Sequence, residues 1–367
     1  MVRGSGSCNA VVQAVKDIKM TPEEKLVFNL YYSESRVDAL AELSKISKTS
    51  NDLAPLIWNS VGTIAVLLQE IISVYPALSP PTLSPSASSR ACNVVALLQS
   101  VASHSETRAP FLKEYYQTLF PGYVAVSHYL ISFFDFAADI PHYLYPFLNT
   151  TSGAKSFEYL RATTLSVIGA LAKEADTEIV DFLLEGQVIP LCLRVMETGR
   201  ELSKFVASYI VKRIVLDDVG LRYICATLEH FFGLASVLES MVVALEKEPS
   251  ARLLKNIVHC YLRLMDNNLA RVALRATLPE ALKNGTFGHL FIDEPAAIGY
   301  LKKLLENLAA PDGEAEAPHP GPGPAAGGAA HPGSGPTACG ASRPGPGPAM
   351  GGSPGGSSQA GPSRVRR

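Results

Sequence analysis

The chain has 367 residues, 47% of them hydrophobic, with 32 Lys and Arg against 34 Asp and Glu and a formal net charge of −2. That length permits two domains, and the near-neutral balance argues against wholesale attraction to nucleic acid or to an anionic membrane, leaving only local patches for such contacts. Six cysteines lie far apart with no C-x-x-C pair, and the N-terminal MVRGSGSCNAVVQAVKD lacks a continuous apolar run, so the chain reads as unsecreted, with reduced thiols in the cytosol or nucleus.

Residues 1–20 read as a flexible N-terminus. Thr21-Pro22-Glu23-Glu24 predicts the first helix start, because Thr caps, Pro suits the first helical position and Glu24 completes a capping box. Leu26, Leu30, Val37, Leu40 and Leu43 then supply two short helices broken near Ser33-Glu34-Ser35. Residues 52–73 predict one strongly apolar helix after Pro55, and Ser79-Pro80-Pro81-Thr82-Leu83-Ser84-Pro85 predicts a loop, since proline cannot donate a backbone hydrogen bond. Helices follow at 87–103, 106–112, 141–147, 157–173, 177–184, 188–197, 201–215, 219–230, 233–246, 250–265, 269–275, 278–283 and 295–308. No segment sustains period-two alternation, so the chain is all-α. The most apolar stretch, Gly122 to Ala138, contains His128 and Asp135 and falls short of the roughly 20 residues that a membrane span needs. It reads as a buried helix, with a membrane-surface or partner contact as the alternative that its aromatic content offers; no membrane partner is expected.

Four of these helix pairs resemble one another: LLQSVASHSETRAPFL, GALAKEADTEIVDFLL, VKRIVLDDVGLRYI and YLRLMDNNLARVAL. Aligned at Ser105, Asp176, Asp217 and Asp266, their turns are 71, 41 and 49 residues apart. An all-helical repeat of about 40–47 residues marks an armadillo or HEAT solenoid. Such a stack has no built-in chemistry and offers long surfaces to peptides or nucleic acid. From Pro311 onward, Pro and Gly fill 27 of 57 positions. That composition has too little apolar surface to offset its ordering entropy, so 309–367 is expected to be a disordered tail after a repeat domain at 21–308.

Several runs go beyond a generic solenoid: DLAPLIWNSVGTIAVLLQEI, YPALSPPTLSPSASSRACNVVALLQSVASHSETR, FEYLRATTLSVIGALAK, IPLCLRVME, ELSKFVASYIV, LDDVGLRYIC and PSARLLKNIVHCYLRLMDN. In order along residues 36–308, the chain resembles the Rcd-type cell-differentiation family, the Caf-forty subunit of the Ccr/Not deadenylase complex, and SPPTLSPSAS looks like its plant members. The resemblance implies about six armadillo-like repeats, docking on the large Not scaffold subunit, recruitment of tryptophan-bearing regulatory proteins, and a basic cleft for nucleic acid. It implies roles in messenger-RNA decay, translational repression and transcription, in cytoplasmic P-bodies and the nucleus, with no catalysis and no cofactor. A homodimer is left open. So are a transcription cofactor that binds nucleic acid outside the complex and a degenerate paralogue with impaired partner binding.

Residues 113–136, KEYYQTLFPGYVAVSHYLISFFDF, have no family counterpart. Removing these 24 residues from the 71-residue gap leaves 47, which restores the repeat period. The resemblance assigns scaffold docking to Asn59, Val61, Ala65 and Ile72. Residues 61, 65 and 72 share one helical stripe, a spacing that equally suits residues facing the core. Family members usually carry His and Phe where Asn59 and Val61 stand. A first tryptophan pocket maps to Leu228, His230, Leu269 and Ala273; three of its four positions have lost a Tyr or Arg partner for an indole ring. A second pocket maps near Pro190, Leu202 and the Ser203-Lys204 stretch.

The basic cleft falls on Arg252, Asn256, His259 and Arg263, spaced 4, 3 and 4 apart, with Lys255, Arg271 and Arg275 nearby. The family is more basic at 256 and 259, and a solvated helix face explains such a stripe as well, so weak, salt-sensitive nucleic-acid binding is expected. Enzyme signals are poor. There is no Walker loop, G-x-S-x-G, H-E-x-x-H or zinc-spaced Cys/His set, and adjacent His259 and Cys260 diverge by about 100° on a helix. Trp58 reads as core, and Arg364, Arg366 and Arg367 are weak support for nuclear import.

Overall fold

A computed structural model describes residues 20–112, 140–173, 176–288, 290 and 295–309. All of them fall in one compact unit, and among them there is no strand. The segment 113–136, the stretch Gly122 to Ala138, the N-terminus up to residue 19 and the tail from residue 310 lie outside the described residues.

Six helices form the backbone of the fold: α2 (Ser33–Ile46), α5 (Pro85–Ser103), α8 (Lys155–Lys173), α11 (Glu201–Leu216), α14 (Ala251–Leu264) and α17 (Pro295–Ala309). Each packs on the next in that order, making a single row. The row forms because every member carries a buried aliphatic stripe, such as Val94, Leu97, Leu98 and Val101 on α5 or Ile210, Val211 and Ile214 on α11. Each such side chain, removed from water, contributes roughly 1.5–3 kcal/mol.

Polar pairs pin the register between neighbours in the row. Ser44 Oγ donates to Asn93 Oδ1 between α2 and α5 (3.1 Å), and Ser166 Oγ donates to Gln99 Oε1 between α8 and α5 (2.8 Å). Asn256 Nδ2 donates to Ser208 Oγ between α14 and α11 (3.1 Å), and His259 stacks on Tyr300 between α14 and α17 at 4.1 Å. A buried polar atom left unpaired by a slip costs about 1–3 kcal/mol, so these pairs fix one alignment.

Of the remaining helices, α1 precedes the row and the others connect its successive members. They are α1 (Pro22–Asn29), α3 (Leu53–Asn59), α4 (Thr63–Ile72), α6 (Ser105–Leu112), α7 (Tyr145–Leu148), α9 (Thr177–Glu185), α10 (Val188–Thr198), α12 (Asp218–Cys225), α13 (Leu228–Lys247), α15 (Asn268–Thr277) and α16 (Glu280–Lys283). The first start is as the sequence predicts: Thr21 Oγ1 accepts from the Glu24 amide, and Glu24 Oε2 accepts from the Thr21 amide at 2.7 Å. Helix α13 is long and apolar enough to cross a membrane, but Leu234, Leu238, Met241, Val242 and Leu245 place one face of it in the core.

Four expectations are corrected. Residues 52–73 are not one helix: α3 and the stretch beginning at Thr63 meet at 91°. The bend lies at Ser60-Val61-Gly62, where Gly62 adopts φ +80°, a left-handed conformation that side-chain-bearing residues avoid. The boundary expected between 230 and 233 lies instead at Ala226-Thr227, because Thr227 Oγ1 accepts from the His230 amide at 3.1 Å and caps α13. The expected helix 141–147 is a 3-10 turn, Ile140–Leu144, followed by the short α7, with Pro141 and Pro146 interrupting regular pairing. Finally, α17 runs to Ala309, one residue into the expected tail.

Candidate partner-binding site

The bend between α3 and α4 turns part of an apolar sequence outward. Asn59 ends α3, Val61 stands at the corner, and Ala65 and Ile72 lie on the outer side of α4; all four are exposed, Val61 at 84%. The other side of α4 is core, through Ile64, Leu67, Leu68 and Ile71. The corner is fastened by Tyr31, whose hydroxyl donates to the Val61 carbonyl and lies 2.9 Å from Thr63 Oγ1. Tyr31 belongs with two other exposed rings, Phe28 and Tyr32, whose centroids are 5.3 Å apart in an edge arrangement. Sequence reasoning missed Tyr31 because it lies 30 residues from its acceptor.

Beneath this corner, Glu70 is buried between two guanidinium groups, Arg36 Nη1 at 3.1 Å and Arg90 Nε at 3.0 Å. The pairs bind α4 to α2 and α5, so the exposed side of α4 rides on a fixed base. Removing either arginine would leave a buried carboxylate short of a partner, a loss of about 3–5 kcal/mol.

The first tryptophan-pocket positions are brought to two helix starts. Leu228 and His230 occupy the first turn of α13, and Leu269 and Ala273 lie on α15. Leu228 and Leu269 are among the most exposed apolar side chains, at 76% and 79%. His230 is not an open partner: its ring stacks on Tyr223 at 4.5 Å and 18°, and its Nδ1 lies 3.1 Å from the Tyr223 carbonyl. Tyr223, an aromatic group from α12, was not anticipated.

At the second pocket, Pro190 lies in the first turn of α10 and Leu202 in the first turn of α11, both exposed. They therefore lie on two successive helices that pack against each other. The adjoining Ser203 is buried and donates to Glu158 Oε1 at 2.6 Å, so its role is structural.

The basic stripe on α14 is largely spent. Arg252 lies 3.3 Å from Glu201 and over the Phe205 ring at 5.1 Å. Arg263 is paired with Asp218 and with Asp266 (2.7 Å), and Arg271 donates to the Met265 carbonyl at 2.8 Å. Arg275 is a half-buried member of α15, on a different helix from Lys255. Asn256 is buried rather than facing solvent, and it accepts from Lys212 Nζ at 2.8 Å. Burial, followed by the charges of Lys212 and Lys255, holds the His259 imidazole below its usual range. Lys212 and Lys255 thus supply positive charge beside an imidazole that their charges and its burial keep toward the neutral form. Among the described residues, no three His, Cys, Asp or Glu side chains gather as a metal site.

These surfaces sit on a chain whose relatives are recognisable. The model of the "Cell differentiation family, Rcd1-like" matches residues 26–124 and 122–308. The chain belongs to the Rcd1-like cell differentiation family. The two matched segments overlap at 122–124, so together they cover the 113–136 stretch expected to lack a family counterpart, and the match breaks within it. This Rcd1-like chain is 48% identical over 283 residues to the cell differentiation protein rcd1 of Schizosaccharomyces pombe, covering 77% of itself and 92% of that protein. It is 44% identical over 283 residues to Protein CAF40 of Saccharomyces cerevisiae, covering 77% and 69% respectively. Among solved structures, a computationally designed armadillo repeat protein for modular peptide recognition superposes with a TM-score of 0.52 at 16% identity, over 77% of this chain and 98% of that one. The fold is armadillo-like.

Proposed function

We propose that this Rcd1-like chain is a non-catalytic adaptor of the Ccr/Not deadenylase complex, which holds the large Not scaffold and brings regulatory proteins to it. Its work would be messenger-RNA decay, translational repression and transcriptional control, in cytoplasmic P-bodies and the nucleus. The observation that carries this reading is the outward corner at α3 and α4. An 84%-exposed valine, an exposed isoleucine and a small alanine stand on a base pinned by Arg36, Glu70 and Arg90. Exposed apolar side chains on a rigid element suit a helix laid across them, with Ala65 letting the backbones approach. A stack of repeats without a metal cluster among the described residues fits a binding role.

The experiment is a pull-down of the large Not subunit with the intact chain and its Ala65→Tyr variant. Because Ala65 is exposed, the ring does not enter the core and folding is preserved, while close approach of a partner helix is blocked. Loss of capture with an unchanged circular dichroism spectrum supports the assignment. Capture equal to that of the unaltered chain refutes it.

A further inference from the structure

A groove of about 590 Å³ opens between the end of α2, the start of α3, the second half of α5 and the start of α6. Its lining is five serines, Asn51, Gln99, two alanines and three side chains able to carry positive charge, Lys48, His104 and Arg108. No carboxylate lines it. It shares no residue with the docking corner, the tryptophan-pocket positions or the α14 stripe.

The three basic groups are available in different degrees. Lys48 is exposed and has no ion-pair partner among the described residues. His104 Nδ1 accepts from the Glu106 amide at 3.2 Å, which places the ring proton on Nε2, the nitrogen left to donate elsewhere. Arg108 Nη2 donates to the Ser103 carbonyl at 3.1 Å, while its Nε is buried without a hydrogen-bond partner. The guanidinium lines the groove and has five N–H donors, so donors remain beyond the one that Ser103 takes.

A second groove, of about 580 Å³, adjoins the first and shares Ser105 and Arg108 with it. Its wall has the opposite sign: Asp176, Glu178, Asp181 and Glu185. Arg108 therefore stands on a boundary between a serine-lined cationic groove and an acidic one. A long polyanion following the cations would run into four carboxylates, and the first groove has no Phe, Tyr or Trp side chain on which a nucleic-acid base could stack. One doubly charged group followed by positive charges satisfies both grooves.

We infer that the Lys48–His104–Arg108 groove receives a phosphoserine or phosphothreonine of a partner polypeptide, whose adjoining basic side chains enter the acidic groove. The phosphate oxygens accept from the lysine, the imidazole Nε2–H and the guanidinium, as charge-assisted bonds on a shared centre. The serines and Asn51 surround the phosphoryl group with short polar side chains in place of acids. No bond is made or broken, and binding is reversible.

The test uses the full chain and a fluorescently labelled peptide with one phosphoserine followed by two lysines, read by anisotropy. The phosphorylated peptide is expected to bind at least about tenfold more tightly than its unphosphorylated form, as befits charge-assisted hydrogen bonds. Inorganic phosphate should compete. Lys48→Glu and Asp181→Lys should each weaken binding about tenfold; both residues are exposed, so an unchanged thermal melt is expected alongside. Equal affinity for the two peptides overturns the inference, as does indifference to Lys48→Glu. Displacement by oligouridine at lower concentration than by inorganic phosphate also overturns it, since the groove would then belong to nucleic acid. None of these outcomes depends on scaffold docking, which the pull-down reads separately.

Discussion

Glu158 on α8 accepts a hydrogen bond of 2.6 Å from Ser203 on α11, and both side chains are buried. The same carboxylate is held by Arg161 Nη2 at 2.8 Å and by the Arg200 amide at 3.2 Å. Arg161 in turn donates to the Thr150 and Ser152 carbonyls at 3.0 and 2.8 Å. One acid thus ties two members of the helix row to the loop that precedes α8.

Burial alone would raise the Glu158 pKa, but the Ser203 and Arg161 hydrogen bonds and the Arg161 charge outweigh it and hold the group below the usual carboxylate range. The unfolded chain therefore takes up this proton first as pH falls. The stabilisation is complete above the unfolded value of about 4.3 and is lost as pH falls through the folded value. Glu158→Gln should cost about 3 kcal/mol at neutral pH. Its urea midpoint should also fall less steeply than that of the unaltered chain between neutral and acid pH. Parallel curves for the two proteins would show that another group governs acid stability.

A contrast between two glycines tests packing at the turns. A Cβ added to Gly220 would lie 1.9 Å from the Ile214 carbonyl oxygen, whereas one added to Gly233, within α13, meets nothing within 4 Å. Gly220→Ala should therefore destabilise by about 3 kcal/mol through overpacking. Gly233→Ala should stabilise by about 0.5–1 kcal/mol, as alanine replaces glycine inside a helix. Thermal melts of the two variants should move in opposite directions.

Tyr31→Phe removes the hydroxyl that holds Val61 and Thr63 but keeps the ring. The fold should lose about 1 kcal/mol. If the corner is the scaffold dock, affinity for the large Not subunit should fall in titration calorimetry, because the corner must be ordered again on binding. Unchanged affinity would separate Tyr31 from docking.

For the first tryptophan pocket, Leu228→Tyr, His230→Arg and Leu269→Arg together should strengthen binding of a peptide with two spaced tryptophans. The gain is at most a few kcal/mol, taking about 0.5–2 kcal/mol for each ring or cation contact. Tyr223 bears on this result, since its face, now covered by His230, would meet a guanidinium instead. Ala273→Phe in that background should cancel the gain. Calorimetry showing that the unaltered chain binds as tightly as the triple variant would remove these positions from the pocket.

Single-stranded nucleic acid should bind weakly, because Arg252 and Arg263 are already paired with carboxylates. Lys255→Gln should weaken an oligonucleotide uniformly across sequences and reduce the salt slope by about one. A slope that does not change would take Lys255 out of the contact.

The helical row was legible because its signal is local: aliphatic residues recur at helical spacing in α5, α8, α11 and α14, and Thr21 to Glu24 carry their own cap. The corner at Gly62 was not, since a mainly apolar stretch from Leu53 to Ile72, read as one helix across Asn59-Ser60-Val61-Gly62, hides a positive φ and a tether from Tyr31, both set by tertiary packing. Thr227 was overlooked as a cap because apolar residues continue across it. Asn256 read as part of a solvent-facing stripe, and its burial follows from Ser208 and Lys212 across the helix interface, which spacing along one helix does not report. The docking and pocket positions came from family resemblance. The exposure of Asn59, Val61, Ala65 and Ile72 at the bend, and of Leu228, Leu269, Pro190 and Leu202 at helix starts, is a separate observation from the structure.

The row of six helices also has a mechanical consequence. Load applied along it passes through a series of similar interfaces, each able to rotate a little about its polar pair. Small rotations at successive steps would add, so the curvature of the stack would shift by degrees with no single interface opening. A partner seated at the α3–α4 corner and one seated on α13 or α15 would then feel each other through strain, with no shared residue between them.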